Sequence, residues 1–382
     1  MEHGAVNMIL SEEQMSAAKK RTYIIRAWQI LAVLAVIAVI AGVIWLIIQS
    51  KPMISSLKQL PFTTDENYCC TGTGFLYLRG RTVYYYDIDD PGEENYTGNS
   101  PANDIMLSGA GRDMHVLYDT KTLYIVGNKD AVNINGEIKS VKCANGYAAC
   151  LIERSGRELI EVYSKTGELA MEINTDAPIT DYGFADMQSS KLYTVSCELA
   201  AERCVSTVIT YDPSIPATTG IITVQDELIE KMVFSDKSIF IKTTKKLIRY
   251  DADTNKESYS LIANGFEMKD QSITGGSCIT VMKSTSENDL STKLYRIASG
   301  DVPSVKLTQL PTGNTEISTV VCGKNIYVIY EDKVLRYDER GNLKESKKIK
   351  CSVTDVVKIS ENRLLIVSGS KLYITDINAD KK

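Results

Sequence analysis

The sequence predicts an all-β fold, a β-propeller of eight blades with seven as the alternative, preceded by a single N-terminal transmembrane helix. Three observations carry this. One long apolar stretch stands near the start of the chain. After it, short alternating runs rich in Val, Ile, Tyr and Thr replace any long helical period. Those runs recur as one phrase at a spacing of about 40 residues, the period of propeller blades.

The first element is a tail, residues 1–26, expected in the cytoplasm. Ser11 and Gln14 stand at capping-box spacing and predict a short helix leading into the next element. Ala27 to Ile48, AWQILAVLAVIAVIAGVIWLII, has no charged side chain and one amide, Gln29. At about 1.5 Å per residue it reaches roughly 33 Å, enough for a hydrocarbon core of about 30 Å. Trp28 and Trp45 sit near its ends, where amphipathic rings favour the headgroup boundary. Lys19, Lys20, Arg21 and Arg26 precede it and only Lys51 and Lys58 follow closely, which predicts a cytoplasmic N-terminus and an extracytoplasmic remainder. IIQSKPMISS offers no small-residue cleavage site, so the span is expected to remain as a single-pass anchor in the cell membrane. Ala38 and Gly42 have the small-xxx-small spacing that lets two helices approach, making the span a candidate for homodimerisation.

Residues 49–66 predict a juxtamembrane linker that contains a ring-closing strand, and residues 67–382 the extracytoplasmic propeller. The recurring phrase is an apolar run, a polar turn, an LYIV-like strand, a second turn, and a strand ending in Tyr or Asp. Its second and third strands are taken to be GFLYLRGRTVYYYDID, TLYIVGNKDAVNING, GYAACLIERSGRELIEVYSKTGE, KLYTVSCELAAERCVSTVITYDPS, SIFIKTTKKLIRYDADT, SCITVMKSTSENDLSTKLYRIASGD, NIYVIYEDKVLRYDERG and RLLIVSGSKLYITDINAD. The seventh unit is complete: EISTVVC, NIYVIY, KVLRYDE and LKESKKIK. The eighth has three strands, VTDVVKI, RLLIVSG and KLYITDI. Met53 to Phe62, MISSLKQLPF, is expected to supply the fourth and close the ring without leaving open edges.

IKSVKCANGYAACLIERSGRELIEVYSKTGELAMEINTDAPITDYGFAD, with KLYTVS and VITYDP after it, resembles bacterial single-span membrane proteins whose ectodomain is a WD40-like or quinoprotein-like β-propeller of unknown function. The resemblance is one of sequence over about Ile138 to Asp251 and of architecture beyond it. It implies a membrane-anchored extracytoplasmic propeller and brings no catalytic residues with it. The quinoprotein branch repeats a Trp in its blades, whereas both Trp residues here lie in the apolar stretch, so that cofactor is not expected.

Composition narrows the chemistry. A net charge of -5 with mixed signs gives no broad basic footprint, so nucleic-acid binding is not expected. The only imidazoles are His3 and His115, and His115, in RDMHVLYD, is read as a structural histidine on an inner strand. No G-x-S-x-G elbow, Walker-type loop or H-E-x-x-H helix is present. The nine cysteines, Cys69, Cys70, Cys143, Cys150, Cys197, Cys204, Cys278, Cys322 and Cys351, do not show zinc spacing. Several lie in apolar runs as small hydrophobes. In SCELAAERC a hairpin with a four-residue loop would set Cys197 opposite Cys204 as a disulfide.

Asp87, Asp89, Asp90, Glu93 and Glu94 in DIDDPGEEN form the densest acidic group. A flexible calcium loop is one reading and a turn held by Asp, Pro and Gly the other. The third-to-fourth-strand turns carry Asp87, Asp89, Asp90, Asp212, Asp251, Asp253, Asp301, Asp338 and Asp376. The second-to-third-strand loops carry Arg79, Arg81, Lys129, Arg154, Arg157, Arg203, Lys245, Lys246, Lys333 and Lys371, diluted by Glu153 and Glu331. One acidic face and an opposite face with a basic lean follow.

The function expected is that of a non-enzymatic interaction or assembly scaffold at the cell surface, with no catalytic, metal or cofactor residues and an unidentified protein partner. The alternative is an extracytoplasmic sensor of a small ligand or glycan, or a carboxylate-based enzyme, with its site at the central channel mouth.

Overall fold

The computed structural model of the chain describes residues 35, 37, 39–40, 57–90, 95–101, 104–200, 202–235, 237–274, 277–286, 292–297, 305–310 and 316–377. The chain divides into two compact units, Met1–Ser55 and Ser56–Lys382. In the first, Ala35, Ile37, Val39 and Ile40 are helical and exposed. The rest of the predicted span Ala27 to Ile48, and the capping pair Ser11 and Gln14, lie outside the described residues. No helix among the described residues is long and apolar enough to cross a membrane.

The second unit is an all-β β-propeller. Its described strands form eight four-stranded antiparallel sheets. Strand β1 (Lys58–Thr63) comes first in the chain and belongs to the last sheet. Sheet one is β2 (Asn67–Cys70), β3 (Gly74–Arg79), β4 (Thr82–Asp87) and β5 (Asn95–Asn99), and sheet two is β6 (Met106–Ala110), β7 (Met114–Tyr118), β8 (Thr122–Ile125) and β9 (Val132–Asn133). Sheet three is β10 (Glu137–Ala144), β11 (Tyr147–Arg154), β12 (Arg157–Ser164) and β13 (Leu169–Asn174), and sheet four is β14 (Ile179–Phe184), β15 (Leu192–Ala200), β16 (Arg203–Asp212) and β17 (Ala217–Gln225). Sheet five is β18 (Ile229–Ser235), β19 (Ser238–Thr243), β20 (Lys246–Asp251) and β21 (Glu257–Ile262), and sheet six is β22 (Phe266–Thr274), β23 (Ser277–Ser284), β24 (Thr292–Ile297) and β25 (Val305–Leu310). Sheet seven is β26 (Ser318–Cys322), β27 (Asn325–Ile329), β28 (Lys333–Asp338) and β29 (Leu343–Lys348), and sheet eight is β30 (Asp355–Ser360), β31 (Arg363–Ser368), β32 (Lys371–Asp376) and, beyond it, β1.

Burial differs between the strands of a sheet because their sequences do. Second strands such as MHVLY (β7) and NIYVI (β27) are buried at every residue, as strands covered on both faces must be. The outer strand LKESKK (β29) is half exposed and alternates. First strands of successive sheets touch one another, as β2 does β6, β6 does β10, β22 does β26 and β26 does β30, so they form the inner ring. Apolar clusters then join neighbours: Leu76 and Leu117 between sheets one and two, Val116 and Cys150 between two and three, Ile160 and Tyr182 between three and four. Val208 and Ile241 join four to five, Phe240 and Cys278 five to six, and Val281 and Val328 six to seven. The circle closes where Leu60 and Phe62 of β1, with Leu365 and Leu372, pack on Phe75 and Tyr77 of sheet one.

The closing strand stands where Met53 to Phe62 predicted it, at Lys58–Thr63, antiparallel to β32 with Lys58 facing Ile374. Two expectations need correction. TLYI is the third strand of sheet two, not the second. MHVLY precedes it, so His115 lies on the second strand rather than an inner one. The turn between them, Asp119 to Thr122, is made without glycine: the Asp119 carboxylate accepts the backbone N–H groups of Lys121 (2.8 Å) and Thr122 (2.8 Å). In consequence Lys129 falls after the third strand, and the cation in the second-to-third-strand turn of that sheet is Lys121.

Candidate interaction surface

Antiparallel order places the first-to-second and third-to-fourth-strand turns of every sheet at one end, and the second-to-third-strand turns with the inter-sheet connections at the other. The third-to-fourth turns explain the recurring Tyr-Asp. Asp338, at the end of β28, accepts the N–H groups of Arg340 and Asn342 at 2.9 Å each, and its other oxygen accepts the Asn342 side chain at 3.1 Å. Asp251 does the same with Asp253 and Thr254, and Asp212 with Ser214. Partial burial opposes ionisation of Asp338, but the Asn342 and Lys344 donors outweigh it and hold the carboxyl down to about 2.

That shift gives a pH prediction. A depressed native value stabilises the fold above the ordinary carboxylate range, and the benefit is lost as pH falls through about 2. With the loss discounted for solvent screening, Asp338→Ala is expected to cost about 1 kcal/mol at neutral pH. Denaturation curves of variant and wild type should converge in strong acid, and a constant gap would refute the assignment.

In the described part of the acidic loop, Asp87 and Asp89 are engaged by arginines. Asp87 is occupied by Arg112 (Nε to Oδ2, 2.6 Å) and by the N–H groups of Asp89 and Asp90, while Asp89 pairs with Arg363 at 2.6 Å. Glu93 and Glu94 lie outside the described residues, as does Asp301. Among the described residues no group of three or more His, Cys, Asp or Glu is placed to hold a metal. His115 is buried, its ring tilted against that of Tyr85 (centroids 4.7 Å), with Nε2 3.3 Å from the Gly111 carbonyl, and burial lowers its pKa.

At the inner edge, charged groups tie neighbouring sheets. Lys358 on β30 donates to the Val321 carbonyl (2.6 Å), the Gln271 carbonyl (3.3 Å) and Glu361 (2.7 Å), and lies 3.9 Å from Asp270. Asp270 in turn accepts the Val321 N–H at 2.7 Å. Three sheets are thus pinned through backbone groups that inner-edge strands leave unpaired. Burial raises the Asp270 pKa despite Lys358 and the Val321 N–H. Lys142 repeats the device between sheets three and four, pairing with Asp181 at 3.1 Å and donating to the Tyr182 carbonyl. On the same end, Met187 reaches from the β14–β15 loop of sheet four to sheet one: a Cβ on Gly72 would stand 2.5 Å from its Sδ.

The cations at the opposite end are mostly committed. Arg79 pairs with Glu66 and donates to the Pro61 carbonyl, Arg81 donates to the Ser100 and Pro101 carbonyls, and Arg154 holds Glu161 and Glu172. Lys246 faces Glu227 at 3.4 Å and Lys245 donates to the Asp226 carbonyl at 2.9 Å. A depression of about 440 Å³ opens there between sheets two and three, lined by Lys121, Asn135, Glu137, Glu153 and Arg154 among others. Its polar groups are partly engaged: Lys139 spans Glu137 and Glu153, and Arg154 donates to the Asn135 carbonyl.

What stands out on this end is apolar. Leu199 is 82% exposed and Ile262 83%, and Leu228 is also exposed. Backbone bonds link their positions along sheets four and five. Leu199 faces Cys204 across the β15–β16 hairpin, and Asp226 N–H donates to the Cys204 carbonyl (2.7 Å). Thr244 N–H donates to the Leu228 carbonyl (2.9 Å), and Ala263, next to Ile262, donates to that of Lys245 (2.7 Å). Beneath them the buried Glu227 accepts from the Thr243 hydroxyl, and its carbonyl accepts from that of Ser206 at 2.9 Å. Of the other exposed apolar residues in the propeller, Leu169, Ile215 and Leu343 are spread over three sheets at the other end, and Met106, Met187, Ile221 and Val357 over sheets two, four and eight. The sequence reading missed this rim, whose one signal is the apolar LAA leading into the turn of SCELAAERC.

Known structures share the fold. BamB from Moraxella catarrhalis aligns over 86% of this chain and 98% of its own with a TM-score of 0.53 at 11% identity. The WD40 domain of SCAP from fission yeast aligns over 86% and 99% with a TM-score of 0.56 at 11% identity. The C-terminal WD40 domain of Sif2 aligns over 85% and 99% with a TM-score of 0.54 at 12% identity. No curated protein matches the sequence. The model of the family of unknown function DUF5711 matches residues 54–377, nearly the whole propeller, and the chain belongs to that family.

Proposed function

We propose that the protein is a non-enzymatic interaction scaffold: an extracytoplasmic propeller, held at the cell membrane by Ala27 to Ile48, that docks a protein partner on the rim of sheets four and five. Counting each sheet as a blade, we read the ring as eight-bladed, supported by the packing of each sheet on the next. The observation that carries the docking surface is the set Leu199, Leu228 and Ile262, all exposed at one end of the neighbouring sheets four and five, along a connector that hydrogen bonds hold in place. Solvent-facing apolar side chains gathered in one place mark interaction surfaces, whereas scattered ones do not. The cations around them are largely engaged within the domain, so apolar contact rather than a charged field would carry affinity.

The test compares wild type with Leu199→Asp/Ile262→Asp. Both side chains are exposed, so the melting temperature should stay unchanged while a protein co-purifying from solubilised membranes is lost. Retention of that protein by the double variant would refute the rim. Recovery of an oligosaccharide without protein would favour the ligand-binding alternative at the channel mouth.

A further inference from the structure

All nine cysteines are described and unpaired. Most are poor reactants: Cys150, Cys278 and Cys322 are buried, and burial pushes the Cys69, Cys143 and Cys322 thiols up to about 12. The Cys204 thiol is raised too, by the Cys197 sulfur beside it, and what sets this pair apart is its geometry. They are partly exposed, on neighbouring strands of one hairpin, with sulfur atoms 3.2 Å apart. The expected directly opposed pair over a four-residue loop is corrected by the register: Cys197 faces Ser206 and Cys204 faces Leu199, so the two sit diagonally on the same face of the hairpin. Ala200 pairs with Arg203, which leaves a two-residue turn, and Glu202 in it adopts φ 65°, left-handed backbone that side chains other than glycine rarely take.

We propose that Cys197 and Cys204 are a reversible dithiol–disulfide pair that closes by exchange with an incoming disulfide, either a small-molecule disulfide or an oxidised dithiol protein. Closing requires the sulfurs to move from 3.2 Å to about 2.05 Å, near a hairpin end where the backbone can adjust with them. In the exchange, the thiolate of one cysteine attacks a sulfur of the incoming disulfide, forming a mixed disulfide and releasing one thiol. The second cysteine's thiolate then attacks the protein-side sulfur and displaces the other thiol. Two electrons pass to the incoming disulfide, which leaves as two thiols carrying the two protons that the cysteines lose. The new bond clamps the turn next to Leu199. The Cys204 sulfur already lies 3.9 Å from the Glu227 carbonyl, so oxidation acts at the junction of sheets four and five.

Thiol mapping of the wild-type protein tests this without depending on the docking reading. The folded protein is exposed to oxidised glutathione, then denatured, blocked with a maleimide and digested. The expected product is one peptide linked internally between Cys197 and Cys204, with the other seven cysteines carrying the maleimide. Cys197→Ser should yield instead a glutathione adduct on Cys204, because the resolving thiol is gone. A parallel arm with an oxidised dithiol oxidoreductase distinguishes the two sources by which closes the pair faster. Maleimide on both cysteines in both wild-type arms, or glutathione adducts without the internal link, would overturn the proposal.

Discussion

Phe62→Ala is expected to destabilise the propeller by about 3–5 kcal/mol, the cost of emptying a fully buried phenylalanine site. Phe62 is 1% exposed, and its ring lies 4.6 Å from that of Tyr77, 5.3 Å from Tyr68 and 5.5 Å from Phe75. Those three partners belong to sheet one, while Phe62 sits on the strand that completes sheet eight. The residue therefore holds the seam where the two ends of the ring meet. Truncation opens a cavity there and weakens the hold on β1, which pairs with β32 over only a few residues before its register shifts. Phe62→Leu, which keeps most of the volume, should cost far less. Thermal or urea denaturation measures both, and an unchanged midpoint for Phe62→Ala would mean that β1 does not close the ring.

Lys358→Met is expected to cost about 2–4 kcal/mol, because truncating one member of a poorly exposed charged network strands the others. The Lys358 side chain is 18% exposed and Asp270's 17%, so water recovers little. The Val321 and Gln271 carbonyls lose their donor, and Asp270 loses its compensating cation. The pH dependence has a definite sign. Burial already raises the Asp270 pKa, so its ionised form works against folding above that value, and protonation relieves the penalty as pH falls. The deficit of Lys358→Met should thus be largest at neutral pH and shrink in mild acid. A deficit that grows on acidification would show that Lys358 acts through other groups.

Much of the fold was legible in the sequence because turn chemistry repeats. Tyr-Asp at strand ends, as in KVLRYDERGN, is the carboxylate that caps the next turn, and Gly341 there has φ 78°. The ring-closing strand could be foreseen because the last unit has three strands and LPF is apolar. Sheet two was misjudged because its outer strand has two residues, so GNKD looked like a better hairpin than DTKT, whose turn depends on the Asp119 carboxylate. The cysteine register failed for a similar reason: Glu202 takes a left-handed turn that no glycine announces. Leu199 and Ile262 were invisible because they continue strand patterns, and only tertiary placement makes them solvent-facing. The inner lysines were equally hidden, since Lys142 and Lys358 look like ordinary outward positions of alternating strands until the neighbouring sheet supplies their carbonyls.

The most direct test of the scaffold reading is photocrosslinking in intact cells from single positions around the domain. A crosslinking side chain at Leu199 or Ile262 should give one discrete protein adduct, absent when it is placed at Leu343 at the other end of the molecule. Adducts from Met187 at the inner ring with none from Leu199 or Ile262 would contradict the account and move the functional surface to the channel mouth.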